Sequence, residues 1–138
     1  MAGGAVPNLH LSNGIQVNQA QSIMRFLAKA LGYYPDDIQV SLKHDVLCEN
    51  YSETFEKAIA YMLHPEEDIE AQKDESFVQA AKTIAHCEKV LGDSKWIFGD
   101  KLTAADFYYG SYYCSFVTNP LINEPERKKK LIAQFPKY

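Results

Sequence analysis

The sequence predicts a mainly α-helical protein in which a β-hairpin and one helix precede a helical bundle. Three observations lead to this prediction. An Asn-Gly pair at residues 13–14 lies between short apolar alternations, which is typical of a hairpin turn. Apolar residues then recur at helical spacing through two long segments. A Thr-x-x-Asp sequence at residues 103–106 indicates the start of a further helix.

The first predicted element is the hairpin, within residues 1–18. A three-residue loop places Leu11 opposite Ile15. It also places Leu9 opposite Val17, whereas a two-residue loop spreads the apolar side chains over both faces. With either loop one face of the hairpin needs cover, because two strands alone are marginally stable in water.

The next predicted element is a helix that supplies this cover. Asn18 is its expected N-cap and Gly32 its expected stop. A linker after the stop divides the chain into a partial first domain, residues 1–35, and an all-helical domain, residues 36–138. The apolar stripe of the helix comprises Ala20, Ile23, Met24, Leu27, Ala30 and Leu31.

Two long antiparallel helices are expected to form the centre of the second domain. The first ends before His64-Pro65, and its apolar stripe comprises Ile38, Leu42, Val46, Phe55, Ile59, Met62 and Leu63. A polar bridge over residues 66–75 separates the two helices. The stripe of the second helix comprises Phe77, Ala81, Ile84, Cys87 and Leu91.

The Thr-x-x-Asp sequence predicts how the following helix starts. Thr103 is the expected N-cap, and Asp106 is its partner in a capping box. Leu102 and Phe107 occupy the positions of a hydrophobic staple. The tyrosines that follow are interpreted as core residues rather than as an aromatic platform for a ligand. A last helix is predicted near Pro125.

Composition and charge exclude several classes of function. The net charge is −4, and the one basic run, residues 127–130, is interpreted as a solvated helix face, so nucleic acid is not an expected partner. The 3 cysteines are widely spaced and lack a CxxC pair, so neither a metal site nor a disulfide framework is predicted. No apolar run reaches transmembrane length, and no secretory pattern is visible. We expect an intracellular protein, cytoplasmic by default, with an organellar complex left open.

The order of these features resembles the soluble glutathione transferase superfamily. Val-Pro at residues 6–7, the Asn-Gly turn and a glutamine precede the I-x-R-F-L-A sequence of residues 23–28. Two long helices and GDKLTAADF at residues 99–107 then follow, as they do in that family. The resemblance implies that a thioredoxin-like segment carries the glutathione site and that the helical domain carries the site for a hydrophobic substrate.

The resemblance assigns glutathione contacts to the hairpin and to the start of the first helix. It implies that Val6 presents its backbone to the cysteinyl part of glutathione and that Pro7 is a cis-proline. Gln19 is matched to the glutamine that contacts the γ-glutamyl group, because it precedes Arg25 by six residues, as in the family. Ala20 then stands where the family usually has serine, so one hydroxyl hydrogen bond to the ligand is lost.

The neighbouring Gln21-Ser22 pair matches the family's usual Gln-Ser in residue type but not in spacing. It lies four residues before Arg25 rather than six, and a shift of two residues rotates the helix by about 200°. Some classes of the family also take a carboxylate from the long helix of the partner subunit. Gap-free counting assigns that role to Glu53, with Glu49 one turn earlier.

The resemblance also implies a preceding strand–helix–strand unit that carries the Tyr, Ser or Cys for the glutathione thiolate, and only five residues precede Val6. We therefore expect that the chain has no catalytic residue. We expect it to be a truncated, non-catalytic structural or assembly subunit. Its protein partner, in a hetero-complex or a homodimer, would cover the hairpin edge. No cofactor is expected, although glutathione is a possible ligand. Two alternatives stay open: an active transferase represented by a fragment or incomplete gene model, and a non-catalytic binder of glutathione or a hydrophobic ligand.

Overall fold

The fold is described by a computed structural model that covers residues 6–63 and 68–135. Strands β1 (Asn8–His10) and β2 (Gln16–Asn18) open the order of elements. The helices are α1 (Ala20–Leu31), α2 (Ile38–Leu63), α3 (Ile69–Leu91), α4 (Ala104–Tyr112) and α5 (Pro125–Gln134), with a π-helix over Tyr113–Val117 directly after α4. The predicted mainly α-helical fold with a leading hairpin and helix is confirmed.

The hairpin has the register that the three-residue loop predicts. Leu9 of β1 pairs with Val17 of β2, and the Leu11 amide donates to the Ile15 carbonyl at 2.9 Å. Gly14 closes the loop with a positive φ of 85°, and its amide donates to the Leu11 carbonyl at 3.0 Å. Glycine suits this position because it adopts positive φ without steric cost.

Helix α1 ends where the sequence predicts but begins later. Gly32 adopts a left-handed conformation with φ 79°, and its amide donates to the Ala28 carbonyl, so the predicted stop is confirmed. The predicted N-cap at Asn18 is wrong, because Asn18 pairs with Asn8 in the hairpin and its backbone is extended. The residue before the first helical turn is Gln19.

Helix α2 has the predicted start, but the predicted stripe in its first half is wrong. Ile38, Leu42 and Val46 are 81%, 66% and 51% exposed. Leu47 is buried and lies nine residues after Ile38, which is about 180° around the helix. The buried side of α2 therefore follows the positions of α3 and α4, which contact it, and not the most apolar stripe. The predicted stop at His64-Pro65 lies outside the described residues.

Helix α3 begins inside the segment that the sequence predicts to be a polar bridge. Its N-cap is Asp68, whose carboxylate accepts a hydrogen bond from the Ala71 amide at 3.0 Å. Residues 69–75 are therefore helical, and the bridge as predicted is too long. The first turns of α3 are polar because they carry carboxylates that pair with α5 and with α3 itself.

Arg127 corrects the interpretation of the basic run as a purely solvated face. Its guanidinium lies 3.0 Å from the Glu70 carboxylate and 2.8 Å from the Asp74 carboxylate, both on α3. It also lies 2.6 Å from the Glu124 carboxylate, which precedes α5. This residue therefore ties α5 to α3, although the exposed pairs with Glu70 and Asp74 each contribute little to stability on their own.

The core interpretation of the tyrosines is confirmed for three of the four. Tyr108, Tyr109 and Tyr112 are buried, whereas Tyr113 is half-buried. The ring of Tyr51 on α2 lies 5.0–5.9 Å, between centroids, from each of the three buried rings. Aromatic contacts of this kind join α2 to α4 in the centre of the bundle.

The start of α4 is fixed by one carboxylate. Asp106 accepts hydrogen bonds from the Thr103 amide at 2.8 Å and the Thr103 hydroxyl at 3.0 Å, in a capping box. It also accepts from the Ile97 amide at 2.8 Å, so the same side chain holds the preceding loop. Phe107 packs edge-to-face on Tyr33 at 5.2 Å, while its staple contact with Leu102 stays a prediction.

No helix in the described part of the chain is long and apolar enough to cross a membrane. Within residues 6–63 and 68–135, no group of three or more His, Cys, Asp or Glu side chains could hold a metal ion.

Replacement of Asp106 with Ala should lower the free energy of unfolding by about 3 kcal/mol, because three donors lose a charged acceptor. Urea denaturation followed by circular dichroism measures the change. Asp100→Ala, at an exposed position in the same loop, is the control and should change stability by less than about 0.5 kcal/mol. Equal effects of the two substitutions would contradict the role assigned to Asp106.

Candidate functional site

The hairpin brings two separate segments to one end of the sheet. The pairing of Asn8 with Asn18 places Pro7 and Gln19 at the same end of the hairpin, beside the start of α1. The Val6–Pro7 peptide bond is cis. Val6 is 91% exposed, so its backbone and side chain are open to a ligand or a partner.

Gln19 has an unusual backbone conformation. Its φ of 71° and ψ of 115° make it the one non-glycine residue in the described ranges with positive φ. Conformations of this kind cost about 1–3 kcal/mol and cluster at ligand sites, where the surrounding structure holds them in place. The side chain of Gln19 is exposed and does not cap α1, and the first turn of α1 has no acidic residue. The first amides of α1 therefore have neither a side-chain cap from Gln19 nor an acidic residue beside them, and a helix start of this kind favours an anionic group.

Gln21, two residues later, has a different role. Its Nε2 donates to the Cys48 carbonyl at 3.2 Å and to the Ser52 hydroxyl, both on α2. Its Oε1 accepts from the Tyr108 hydroxyl of α4 at 2.5 Å. The amide is therefore engaged on both sides inside the protein, where it joins α1 to α2 and α4. Gln21 therefore has a structural role, and the match of Gln19 to the family's glutamine stays a prediction.

A charged cluster also joins α1 to α2. Arg25 Nε lies 3.2 Å from Asp45, and its NH2 lies 3.0 Å from Glu49. Asp45 also accepts from the Tyr34 hydroxyl at 2.9 Å, and His44 Nδ1 lies 3.3 Å from its other oxygen. Burial acts to raise the pKa of Asp45, but the hydrogen bonds from Tyr34 and His44 and the Arg25 charge outweigh it and lower the pKa.

His44 and Cys48 lie side by side under this cluster. His44 is 2% exposed, and burial lowers its pKa, so the imidazole is neutral at pH 7. The Cys48 sulfur lies 3.8 Å from His44 Nε2. Burial raises the pKa of the Cys48 thiol to about 12, so this cysteine is protonated and weakly nucleophilic.

Sequence reasoning did not find the cluster around Asp45. It used Arg25 only to count positions along α1. Asp45 and Glu49 stand four residues apart on α2 and so share one helix face, which is a signal for a basic partner. The sequence does not show that this partner comes from α1, because the contact spans 20 residues or more.

The predicted glutathione contacts fall into two places. Four lie at one end of the hairpin: Val6, Pro7, Gln19 and Ala20. Glu53 lies on the exposed face of α2, where its Oε1 accepts from Lys57 Nζ at 2.6 Å. This hydrogen bond lowers the pKa of Glu53. Its expected action across a subunit interface stays a prediction, as do the glutathione contacts of the hairpin residues.

Part of the chain matches a protein-family model. The model of the family "Glutathione S-transferase, C-terminal domain" matches residues 51–112, which run from the middle of α2 to the end of α4. Among curated proteins, S-crystallin SL11 of Nototodarus sloanii is 23% identical over 138 residues. The match covers 96% of this chain and 63% of that protein, so the chain spans less than two thirds of this relative's length.

Solved structures of glutathione S-transferases have the same fold. Na-GST-3, a monomeric enzyme from the hookworm Necator americanus, superposes with a TM-score of 0.71 at 21% identity, over 93% of this chain and 68% of that one. A glutathione S-transferase from Methylobacterium radiotolerans, in complex with glutathione sulfonate, gives a TM-score of 0.62 at 20% identity, over 94% of this chain and 65% of that one. At these identities the structural likeness shows the fold and leaves activity open.

Proposed function

We propose that this chain is a member of the glutathione transferase superfamily and acts as a non-catalytic structural or assembly subunit that docks on another protein through its hairpin. The partner is a second protein in a hetero-complex or a second copy of the chain. The subunit acts inside the cell, and with a net charge of −4 it has no nucleic acid partner.

The observation that carries this proposal is the open edge of the hairpin. In the described residues the sheet consists of β1 and β2 alone, so each strand has one neighbour and one free edge. In this register the backbone groups of Leu9 and Leu11 point toward β2. Because hydrogen-bonded and non-hydrogen-bonded pairs alternate along an antiparallel ladder, the amides of Asn8 and His10 point away from β2. A free strand edge is a template for an added strand, and natural proteins cover it.

The nucleophile candidates of the described chain support a non-catalytic role. Burial raises the pKa of Cys87 to about 12, as it does for Cys48, so both thiols stay protonated at neutral pH. Burial also raises the pKa of the hydroxyls of Tyr108, Tyr109 and Tyr112. These groups are buried in the described part of the chain.

A second candidate function is the binding of glutathione or of a similar γ-glutamyl peptide without turnover. The conformation of Gln19 favours this function. Strained backbone of this kind clusters at ligand sites, and the side chain of Gln19 makes no cap hydrogen bond to α1. The amides of that helix start suit the γ-glutamyl carboxylate. Ala20 in place of serine implies weak binding, since one hydrogen bond to a charged acceptor is missing.

The docking proposal predicts that His10→Pro yields a monomer. Proline removes an outward amide from β1 and leaves the inward ladder of the hairpin intact. Size-exclusion chromatography with light scattering, over a range of protein concentrations, measures the mass. The wild-type chain and the control His10→Ala should associate, and His10→Pro should not. A wild-type chain that is a stable monomer at every concentration would contradict docking on a second copy of the chain.

The second candidate predicts opposite effects of two glycine substitutions. Gln19→Gly should raise the free energy of unfolding by about 1 kcal/mol, because glycine adopts φ 71° without strain, and it should abolish the heat of glutathione binding in calorimetry. Gln16→Gly, at an exposed strand position, should lower stability and leave that heat unchanged. If wild-type protein gives no heat with millimolar glutathione, this candidate fails while the docking proposal stands.

A further inference from the structure

A cleft of about 420 Å³ lies between the end of α3, the loop after it and α4. This size falls in the range of small-molecule sites in proteins. None of the hairpin-end residues lines it. The residues that shape it are Leu91, Lys95, Trp96, Tyr109, Gly110 and Tyr113.

The walls of the cleft are aromatic and held in place. Trp96 exchanges two backbone hydrogen bonds of 3.0 Å with Gly99, which fixes the loop that carries the indole. Tyr109 is buried on the opposite side, in the packed part of α4. Cys87 adds an uncharged thiol, since burial raises its pKa to about 12. A flat ring would therefore meet aromatic faces, with the half-buried Asp106 as the carboxylate of the lining.

Gly110 keeps the cleft open. It lies inside α4, where glycine is less favourable than alanine. A Cβ added at this position would meet no atom within 4 Å. Packing in the described residues therefore does not require glycine here, and the room that a side chain would take is part of the cleft.

The π-helix begins at the same place. It runs over Tyr113–Val117, and its first two residues, Tyr113 and Cys114, line the cleft. Single π-turns in helices occur frequently at functional sites, because the wider turn re-aims the side chains next to it. The helix start at Thr103 and this turn together set how α4 borders the cleft.

Lys95 places a positive charge at the mouth of the cleft. Its ammonium lies over the Trp96 ring, 5.4 Å from the ring centroid. Asp106, the acidic residue of the lining, accepts three hydrogen bonds from neutral donors of Thr103 and Ile97, which hold its carboxylate in the capping box. The anionic group of a ligand is therefore expected at the Lys95 rim rather than beside Asp106.

We infer that this cleft binds a flat aromatic molecule with a single negative charge, whose ring lies among Trp96, Tyr109 and Tyr113 and whose anionic group contacts Lys95. The space beside Gly110 holds the edge of the ring. This site is independent of the hairpin and of the proposed docking function.

The test uses 2-naphthoate as the probe and its neutral analogue 2-naphthamide as the charge control. The full chain is titrated with each, and the indole N–H signal of Trp96, the single tryptophan in the sequence, is followed by NMR. We expect a saturable shift with 2-naphthoate and binding about 5-fold weaker with 2-naphthamide. Gly110→Leu should fill the cleft and weaken 2-naphthoate binding at least about 10-fold, with an unchanged helical circular dichroism spectrum.

A lysine pair separates the charge contact from general effects. Lys95→Gln should weaken 2-naphthoate binding about 5-fold and leave 2-naphthamide unaffected, whereas Lys89→Gln, on exposed α3 surface outside the cleft, should change neither. The inference is overturned if millimolar 2-naphthoate does not shift the Trp96 signal, or if it binds folded Gly110→Leu as tightly as wild type. If Gly110→Leu does not fold, the lysine pair decides: equal effects of Lys95→Gln and Lys89→Gln overturn the inference.

Discussion

The structure depends on one side-chain amide, that of Gln21. It donates to two groups of α2, the Cys48 carbonyl and the Ser52 hydroxyl, and accepts from the Tyr108 hydroxyl of α4. The hairpin cannot be stable alone, since it has two strands of three residues each. It is stable because α1 covers it and α1 is fixed to the bundle by this amide and by the Arg25 cluster. A half-buried amide with partners on both sides also fixes the rotation of α1, because another rotation would break these hydrogen bonds.

The rotation of α1 sets what its first turn presents to the outside. Gln21 is turned inward, whereas Gln19, the residue before the helix, has an exposed side chain at the same end of the hairpin as Pro7. A strained backbone such as that of Gln19 persists only where its surroundings hold it, and the hairpin on one side and the anchored helix on the other do so. The inward glutamine is therefore structural, and the outward glutamine is the one available to a ligand.

Local patterns in the sequence predicted the local parts of the fold. The Asn-Gly pair gave the hairpin register, and Gly32 gave the end of α1, because turn and cap residues act through their own backbone conformations.

The orientation of α2 could not be read from its stripe, since periodicity shows that a helix has an apolar side but not which side meets α3 and α4. The Asp45 cluster and the cleft beside Gly110 were not predicted, because both arise from residues far apart in sequence. Counting from Arg25 set Gln21 apart from the glutathione site, and Gln21 bonds inside the protein, while the glutathione contact of Gln19 stays a prediction.

The central claim is that Gln21 anchors α1 to the bundle, and a double-mutant cycle between Gln21 and Tyr108 tests it most directly. Gln21→Ala, Tyr108→Phe and the double variant are unfolded in urea, and the coupling free energy is calculated from the three changes in stability. The account predicts a coupling of about 1–2 kcal/mol, because either single substitution already breaks the 2.5 Å hydrogen bond between α1 and α4. Single changes that add to the double change within about 0.3 kcal/mol would contradict it.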